Sequence, residues 1–197
     1  MTTLYKLTDQ SHETYGATKW GPGVTHTASG EGDLCGPGWL HAYTDPLLAI
    51  ALNPVHANIQ PPVLWRAEGK VGKDDRGLKV GCTSLTTIKV IELPVIQPTA
   101  LVHWVILCAR ATIPQPASWE RWADGWISGA DRTKKAAKAA RSPANGWHAE
   151  AVAWAASWTL RPTAVIWAAE AAEAAARAAA IDLAGLLQQA IAAENAR

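Results

Sequence analysis

Four polar side chains in the first half of the sequence could together line a small-molecule pocket. They are Tyr5, His41, Tyr43 and Asp45. Their hydroxyl, imidazole and carboxylate groups can hydrogen bond a ligand, and an imidazole can also exchange a proton near neutral pH. A structural interpretation is also open, in which Asp45 only caps a helix and the tyrosines lie at strand edges. We predict a ligand-binding site here, with no catalytic residue.

A second group of charged side chains lies in the segment from Arg132 to Arg141, which reads as a basic helix. On a helical wheel four cations fall within about 120°, and alanines occupy the other side. Such a stripe can neutralise phosphates or meet an acidic protein surface, although a solvated helix face explains it too. We predict that a host protein or a nucleic acid binds to Lys134, Lys135, Lys138 and Arg141.

Metal and cofactor chemistry finds little support in the sequence. His26, Cys35 and His41 offer zinc-ligand side chains, but the spacing H-x8-C-x5-H matches no compact zinc motif. Phosphate-binding glycine loops and the G-x-S-x-G nucleophile motif are missing from the sequence. Cys108 lies in an apolar run, which is typical of a buried thiol. We therefore expect no metal and no cofactor, and favour binding over catalysis.

The first half of the chain reads as a β-rich module over residues 1–96. Apolar and polar residues alternate there in short runs, separated by turns at Gly-Pro-Gly. A turn around Ser84 separates the last two of the predicted strands. The strands are predicted within Leu4–Leu7, Val24–Thr27, Val63–Glu68, Leu78–Cys82 and Thr87–Leu93.

One short helix interrupts this module. Asp45 suits the N-cap because its carboxylate can accept hydrogen bonds from unpaired backbone N–H groups, and Pro46 suits the first helical position. The pair Asn53-Pro54 is predicted to end the helix, since a proline cannot donate to the helical ladder. A charged hairpin tip is predicted over Lys73–Gly77.

The second half, residues 97–197, is predicted to be helical. The apolar run 100–111 fits a buried helix or a central strand. Trp119, Trp122 and Trp126 fall within about 60° of a helical wheel, and Gly129 is placed to end that helix. Asn145 is predicted to cap the next helix, which carries a stripe of four residues. That stripe consists of Trp147, Ala151, Trp154 and Trp158.

The last segment is rich in alanine, which has the highest helix propensity but a small side chain. Pro162 is predicted to open one helix and Asp182 to restart another, with an apolar seam on Leu183, Leu186, Leu187 and Ile191. Small residues allow two helix axes to approach closely. We predict a tight helix–helix contact, within the chain or in a homo-oligomer, at Ala169, Ala172, Ala176 and Ala180.

Composition limits the class of protein. The chain has 197 residues with 49% hydrophobic and 18% charged residues, which excludes a disordered protein. The net charge of +1 gives no overall attraction to nucleic acid or membranes. Three widely spaced cysteines and no signal-peptide pattern predict a reduced, cytoplasmic protein. Charges within the apolar C-terminal stretch argue against a membrane span.

Several segments together resemble a group of proteins that are encoded mostly by bacteriophages. The resemblance rests on Tyr5-Lys6, on Cys35-Gly36-x-Gly38-x-x-His41, on Glu68-Gly69, and above all on Trp126-Ile127-Ser-Gly-x-Asp131-Arg132 with its alanine-rich continuation. It covers nearly the whole chain and implies a phage or prophage origin. Combined with the missing catalytic motifs, this origin leads us to expect a non-enzymatic accessory protein that binds a host macromolecule in the host cytoplasm, and our hypothesis for its role is inhibition of a host defence system.

The first half also resembles the ADP-ribosyltransferase fold, through Tyr5-Lys6, then Leu40–Asp45, then Gly77–Val80. This resemblance implies a nucleotide-binding or transferase module as an alternative function. At the position of the family's catalytic Glu, however, the chain has Gly77-Leu78-Lys79, and Asp75 comes two residues early. A third alternative is an assembly protein that uses its alanine-rich helices. The expected fold class is α+β in every case.

Overall fold

A computed structural model describes residues 1–144, 147–157 and 163–197 of the chain. The chain divides into two compact units, an N-terminal unit, Met1–Val95, and a C-terminal unit, Ile96–Arg197. The N-terminal unit contains antiparallel strands and one α-helix, and the described part of the C-terminal unit is helical. The predicted α+β class is therefore confirmed.

The N-terminal unit consists of seven strands and one α-helix. They are β1 (Thr2–Thr8), β2 (Glu13–Thr14), β3 (Thr18–Lys19), β4 (Thr25–Thr27), β5 (Leu40–Ala42), α1 (Pro46–His56), β6 (Val63–Asp74) and β7 (Val80–Ile91). The unit is built around one antiparallel sheet with the strand order β1-β6-β7-β4, and β5 also pairs with β7. Strands β2 and β3 form a separate two-stranded ribbon on either side of a 3-10 turn.

The main sheet closes on itself. Strand β5 pairs with β7 on one side, and Tyr43, which directly follows β5, forms an antiparallel bridge with Tyr5 of β1. The two tyrosines exchange backbone hydrogen bonds of 2.8 and 2.9 Å. This closure encloses an apolar cluster formed by Leu4, Trp20, Ala42, Ala67, Val80, Cys82 and Leu85.

The predicted turn around Ser84 is wrong, because β7 is one continuous strand from Val80 to Ile91. Between Cys82 and Ser84 its register with β6 shifts by one residue, which is a β-bulge. The bulge reverses the alternation of side chains, so that Cys82 and Leu85 both point into the core. The two strands predicted on either side of Ser84 are therefore parts of one strand, β7, and its inward-facing positions shift by one residue at the bulge.

The hairpin between β6 and β7 turns at residues 75–78, slightly beyond the predicted tip. The backbone N–H of Leu78 donates to the carbonyl of Asp75 at 2.9 Å. Arg76 and Gly77 have φ values of 54° and 77°. Two successive left-handed residues define the type I′ turn, whose twist matches that of the flanking strands.

Helix α1 begins as predicted but ends later. The Asp45 carboxylate accepts hydrogen bonds from the backbone of Leu47 and Leu48 at 2.7 and 3.2 Å. The predicted end at Asn53-Pro54 is wrong, since the helix continues through Pro54 to His56. It ends where Asn58 takes a left-handed φ of 49°, a conformation that terminates helices.

The C-terminal unit contains six helices in its described part. The predictions that rest on Asn145, Trp158 and Pro162 lie outside the described residues. The helices are α2 (Pro98–Thr112), α3 (Ala117–Ser128), α4 (Lys134–Arg141), α5 (Trp147–Ser157), α6 (Thr163–Ala178) and α7 (Leu183–Asn195).

Two features of this unit follow the sequence pattern closely. The run 100–111 forms a helix, α2, and most of its residues are buried. In α3, Trp119, Trp122 and Trp126 are all buried, and Gly129 ends the helix with a φ of 80°. The tryptophan stripe of α3 is therefore part of the core.

Alanines line the interior contacts of α6. This helix packs against α2 and α5, and Ala169, Ala172 and Ala176 are fully buried. Ala180 does not belong to the contact as predicted, because α6 ends at Ala178 and Ala180 is exposed. The alanine face that could have served a homo-oligomer is thus buried within the chain.

We expect Ala172→Leu to lower the free energy of unfolding by about 1–3 kcal/mol, because three extra carbons overpack a closed helix contact. Thermal unfolding followed by circular dichroism measures the loss. The matched control is Ala178→Leu, which lies on the same helix at an exposed position. Equal melting temperatures for the two variants would contradict a close contact at Ala172.

Candidate functional site

The structure places the four predicted pocket residues next to one another but gives several of their side chains roles in the fold. The ring of His41 donates from Nε2 to the Leu34 carbonyl. Tyr43 is buried, and its hydroxyl lies 3.3 Å from Nδ1 of His56. Asp45 caps α1. Ligand binding by Tyr5, His41, Tyr43 and Asp45 stays a prediction.

The electrostatics of His41 and Tyr43 favour neutral side chains at these two positions. Burial lowers the pKa of His41, and the positive charges of Lys6 and Lys79 lower it further, although the hydrogen bond to Leu34 acts in the opposite direction. Burial also raises the pKa of the Tyr43 hydroxyl well above its usual value. At neutral pH this part of the molecule therefore presents a neutral imidazole and a neutral phenol.

Lys6, which the sequence analysis names only as part of the Tyr5-Lys6 pair and not as a site residue, is a buried amine with a strongly lowered pKa. Its ammonium lies inside the closed sheet, where it donates to the His41 carbonyl at 2.8 Å and lies 5.1 Å from the centre of the Trp20 ring. Burial lowers the pKa of Lys6 to about 8. The signal in the sequence is the strand alternation, which places Lys6 on the same face as the buried Leu4.

The cysteines and histidines do not gather into a metal site. No three His, Cys, Asp or Glu side chains within the described part of the chain are grouped to hold a metal ion. The ring of His26 donates to the carbonyl of Lys19 at 2.8 Å. Cys35 is exposed, whereas burial raises the pKa of the Cys82 thiol to about 11.

The basic segment forms the short helix α4, capped by Thr133, whose hydroxyl accepts from the backbone of Ala136 at 3.2 Å. Its inner side is fixed by Ala137 and Ala140, which are buried. Three predicted partner-binding residues are exposed on the opposite side. We call Lys134, Lys135 and Lys138 the lysine face.

Arg141, the fourth predicted member of the stripe, has a different environment. Its guanidinium lies 3.6 Å from the centre of the Trp154 ring and 3.6 Å from a carboxylate oxygen of Glu150. Trp154 in turn stacks on Trp167 of α6. Arg141 therefore links α4 to the helices behind it, and its charge is shared with Glu150.

A groove lies between α3 and α4 beside the lysine face. It is an open groove with a volume of about 320 Å³, at the lower end of the range for ligand pockets. Its walls include Trp122 of α3 and Ala136, Ala139 and Ala140 of α4, with Arg121 and Asp131 contributing the charges. The sequence analysis missed this groove because neither helix alone reveals it.

A buried polar cluster connects the two ends of the C-terminal unit. One carboxylate oxygen of Glu194 accepts from Arg132 at 2.7 Å, from Arg197 at 2.7 Å and from Nδ1 of His103 at 3.2 Å. The side chains of Glu194 and His103 are only 6% and 4% exposed. This cluster stabilises α7 against α2 and against the segment before α4.

An ADP-ribosyltransferase-like scaffold implies that Tyr5, the segment Leu40–Asp45 and the segment Gly77–Val80 lie side by side. In the structure Val80 pairs with Ala42, and Tyr43 pairs with Tyr5. Any closed antiparallel sheet with this strand order would show it, so the scaffold stays a prediction. No protein-family model, curated protein or solved structure matches the chain. Within the described ranges, none of the helices has both the length and the apolar character needed to span a bilayer.

Proposed function

We propose that the chain is a binding protein without catalytic activity, which engages a negatively charged macromolecule through the lysine face of α4. The observation that supports this proposal is the fixed orientation of α4. Ala137 and Ala140 are buried against the unit, so the lysines on the other side point outward together. Three aligned ammonium groups attract phosphates or carboxylates over roughly a Debye length, about 8–10 Å.

The proposal also draws on what the other polar residues do. His41, Tyr43 and Asp45 make contacts that hold the N-terminal unit together, so we assign the binding surface to the lysine face of α4 and not to these residues. The resemblance to phage-encoded proteins adds a source for the partner, namely the infected cell. Inhibition of a host defence system is the role that we propose for this interaction.

The lysine face predicts a defined dependence on salt. Three lysines that neutralise about three phosphates give a log–log slope of about −3 for duplex DNA, or about eightfold weaker binding per doubling of salt. Fluorescence anisotropy with a short labelled duplex and with a labelled polyglutamate peptide measures both kinds of anion. We expect binding to at least one probe, with a steep loss of affinity as salt increases.

The variant Lys134→Gln, Lys135→Gln, Lys138→Gln keeps the helix propensity of α4 and removes its charge. It should lose binding to either probe while retaining its circular dichroism spectrum. The matched control replaces three exposed lysines of the N-terminal unit, Lys70, Lys73 and Lys89, by Gln. Equal affinities for the two triple variants would overturn the proposal.

A further inference from the structure

The groove beside the lysine face is lined by both apolar and charged side chains. Methyl groups of Ala136, Ala139 and Ala140 form one wall, and Trp122 contributes to the other. Arg121 lines the α3 side. A cavity of about 320 Å³ with such walls suits an aliphatic side chain better than a polar one.

Positive charge flanks this groove on both sides. Lys135 is four residues before Ala139, and residues at this spacing are neighbours on a helix surface. Helical spacing therefore places Lys135 on the α4 side of the groove, and Arg121 lines its α3 side. Lys138 and Lys134 follow about 60° and 100° farther round the helix from Lys135, away from the groove.

The negative charge of Asp131 favours one orientation of an occupant in the groove. Its carboxylate lines the groove and accepts from the backbone N–H of Thr133 at 3.0 Å. A second anion placed beside it would be repelled, so an occupant must carry its negative groups toward Arg121 and Lys135. The charges thus favour an acidic occupant in one orientation.

We infer that the groove accepts an apolar side chain from an acidic protein segment, whose carboxylates pair with Arg121 and with Lys135 at the near edge of the lysine face. This inference rests on the proposed function and names the chemical class of its partner. A nucleic-acid backbone has no aliphatic group to fill the groove. Trp122 is only 8% exposed, so it offers little ring surface on which a base could stack.

The test compares three labelled probes by fluorescence anisotropy with the full chain. Two are glutamate-rich peptides that differ at one central position, leucine in the first and serine in the second, and the third is a short duplex DNA. We expect the leucine peptide to bind about tenfold more tightly than the serine peptide, because the groove buries part of the leucine side chain.

Two variants link this preference to the groove. Ala139→Gln places a longer polar side chain at an exposed groove position and should abolish the leucine preference, whereas the control Ala178→Gln on α6 should keep it. Asp131→Asn should tighten binding of both peptides by about two- to fivefold, since it removes a repelling charge near the surface.

The outcomes separate the two proposals. If the lysine-face triple variant binds all probes as the wild type does, the proposed function fails. If the lysines matter but the two peptides bind equally well, only the assignment of an apolar anchor fails. Tighter binding of DNA than of either peptide, with no effect of Ala139→Gln, would overturn the inference in favour of nucleic acid.

Discussion

Replacing Lys6 by methionine is expected to raise the free energy of unfolding at pH 7 by about 2 kcal/mol. Burial lowers the pKa of Lys6 from 10.5 to about 8, so holding the proton in the folded state costs about 3 kcal/mol. The His41 carbonyl loses its donor in the variant, which costs about 1 kcal/mol. Methionine fills similar space without a charge.

The stability of the wild type depends on pH because Lys6 has different pKa values in the folded and the unfolded state. Below pH 8 both folded and unfolded Lys6 carry the proton, and the full cost is present. Between pH 8 and 10.5 only the unfolded state carries it, so raising the pH stabilises the wild type. The advantage of the methionine variant should therefore shrink through this window.

Urea denaturation of both proteins at pH 7 and pH 9 tests this expectation. Cys82, whose pKa is raised to about 11, destabilises the fold with rising pH above its usual value of 9, but it is present in both proteins. Lys70→Met, at an exposed position of β6, serves as the control and should change little. A methionine variant less stable than the wild type at pH 7 would show that the buried ammonium is favourable.

Glu194→Ala is expected to lower the free energy of unfolding of the C-terminal unit by about 3 kcal/mol. Removing one partner of a buried ionic cluster leaves the other charges without compensation. Arg132 and Arg197 are 25% and 34% exposed, so water recovers part of that loss. The exposed pair Glu173–Arg177 provides the control, and Glu173→Ala should cost no more than about 0.5 kcal/mol.

The same cluster predicts sensitivity to acid. Burial alone would raise the pKa of Glu194, but the hydrogen bond from Arg132 and the charges of Arg132 and Arg197 lower it below its usual 4.5. Its stabilising contribution is therefore present above pH 4.5 and is lost as the pH falls further. Burial lowers the pKa of His103 below 6.5. As the pH falls, His103 is therefore protonated first in the unfolded state, which also destabilises the fold.

Chemical denaturation of wild type and Glu194→Ala between pH 7 and pH 3 separates these contributions. The stability difference between the two proteins should stay constant down to about pH 4.5 and should narrow below it, as Glu194 becomes protonated. A difference that is constant across this range would mean that the alanine variant loses packing and not an ionic interaction.

Local patterns in the sequence predicted the elements that local chemistry decides. The cap at Asp45, the tryptophan stripe of α3 and the restart at Asp182 depend on neighbours within one helical turn, and the structure has all three. The Asp182 carboxylate accepts from the backbone of Gly185 at 2.9 Å. Such features need no knowledge of the rest of the chain.

Features decided by distant residues were missed. The bulge before Ser84 depends on pairing with β6, and the sequence shows only a break in alternation. The burial of Lys6 depends on closure of the sheet by Tyr43. The role of Arg141 depends on Trp154 of the next helix. In each case the contacting residue belongs to another part of the fold. The periodicity of the local sequence does not identify it.

The alanine packing of α6 also limits which codon changes the gene tolerates at the buried alanines. Any alanine codon becomes a valine codon through one base change, and valine adds two carbons at a buried position such as Ala169, Ala172 or Ala176. Such single-base changes thus overpack the helix contacts of α6. A gene encoding this bundle is constrained at sites that a hydrophobicity scale would score as interchangeable.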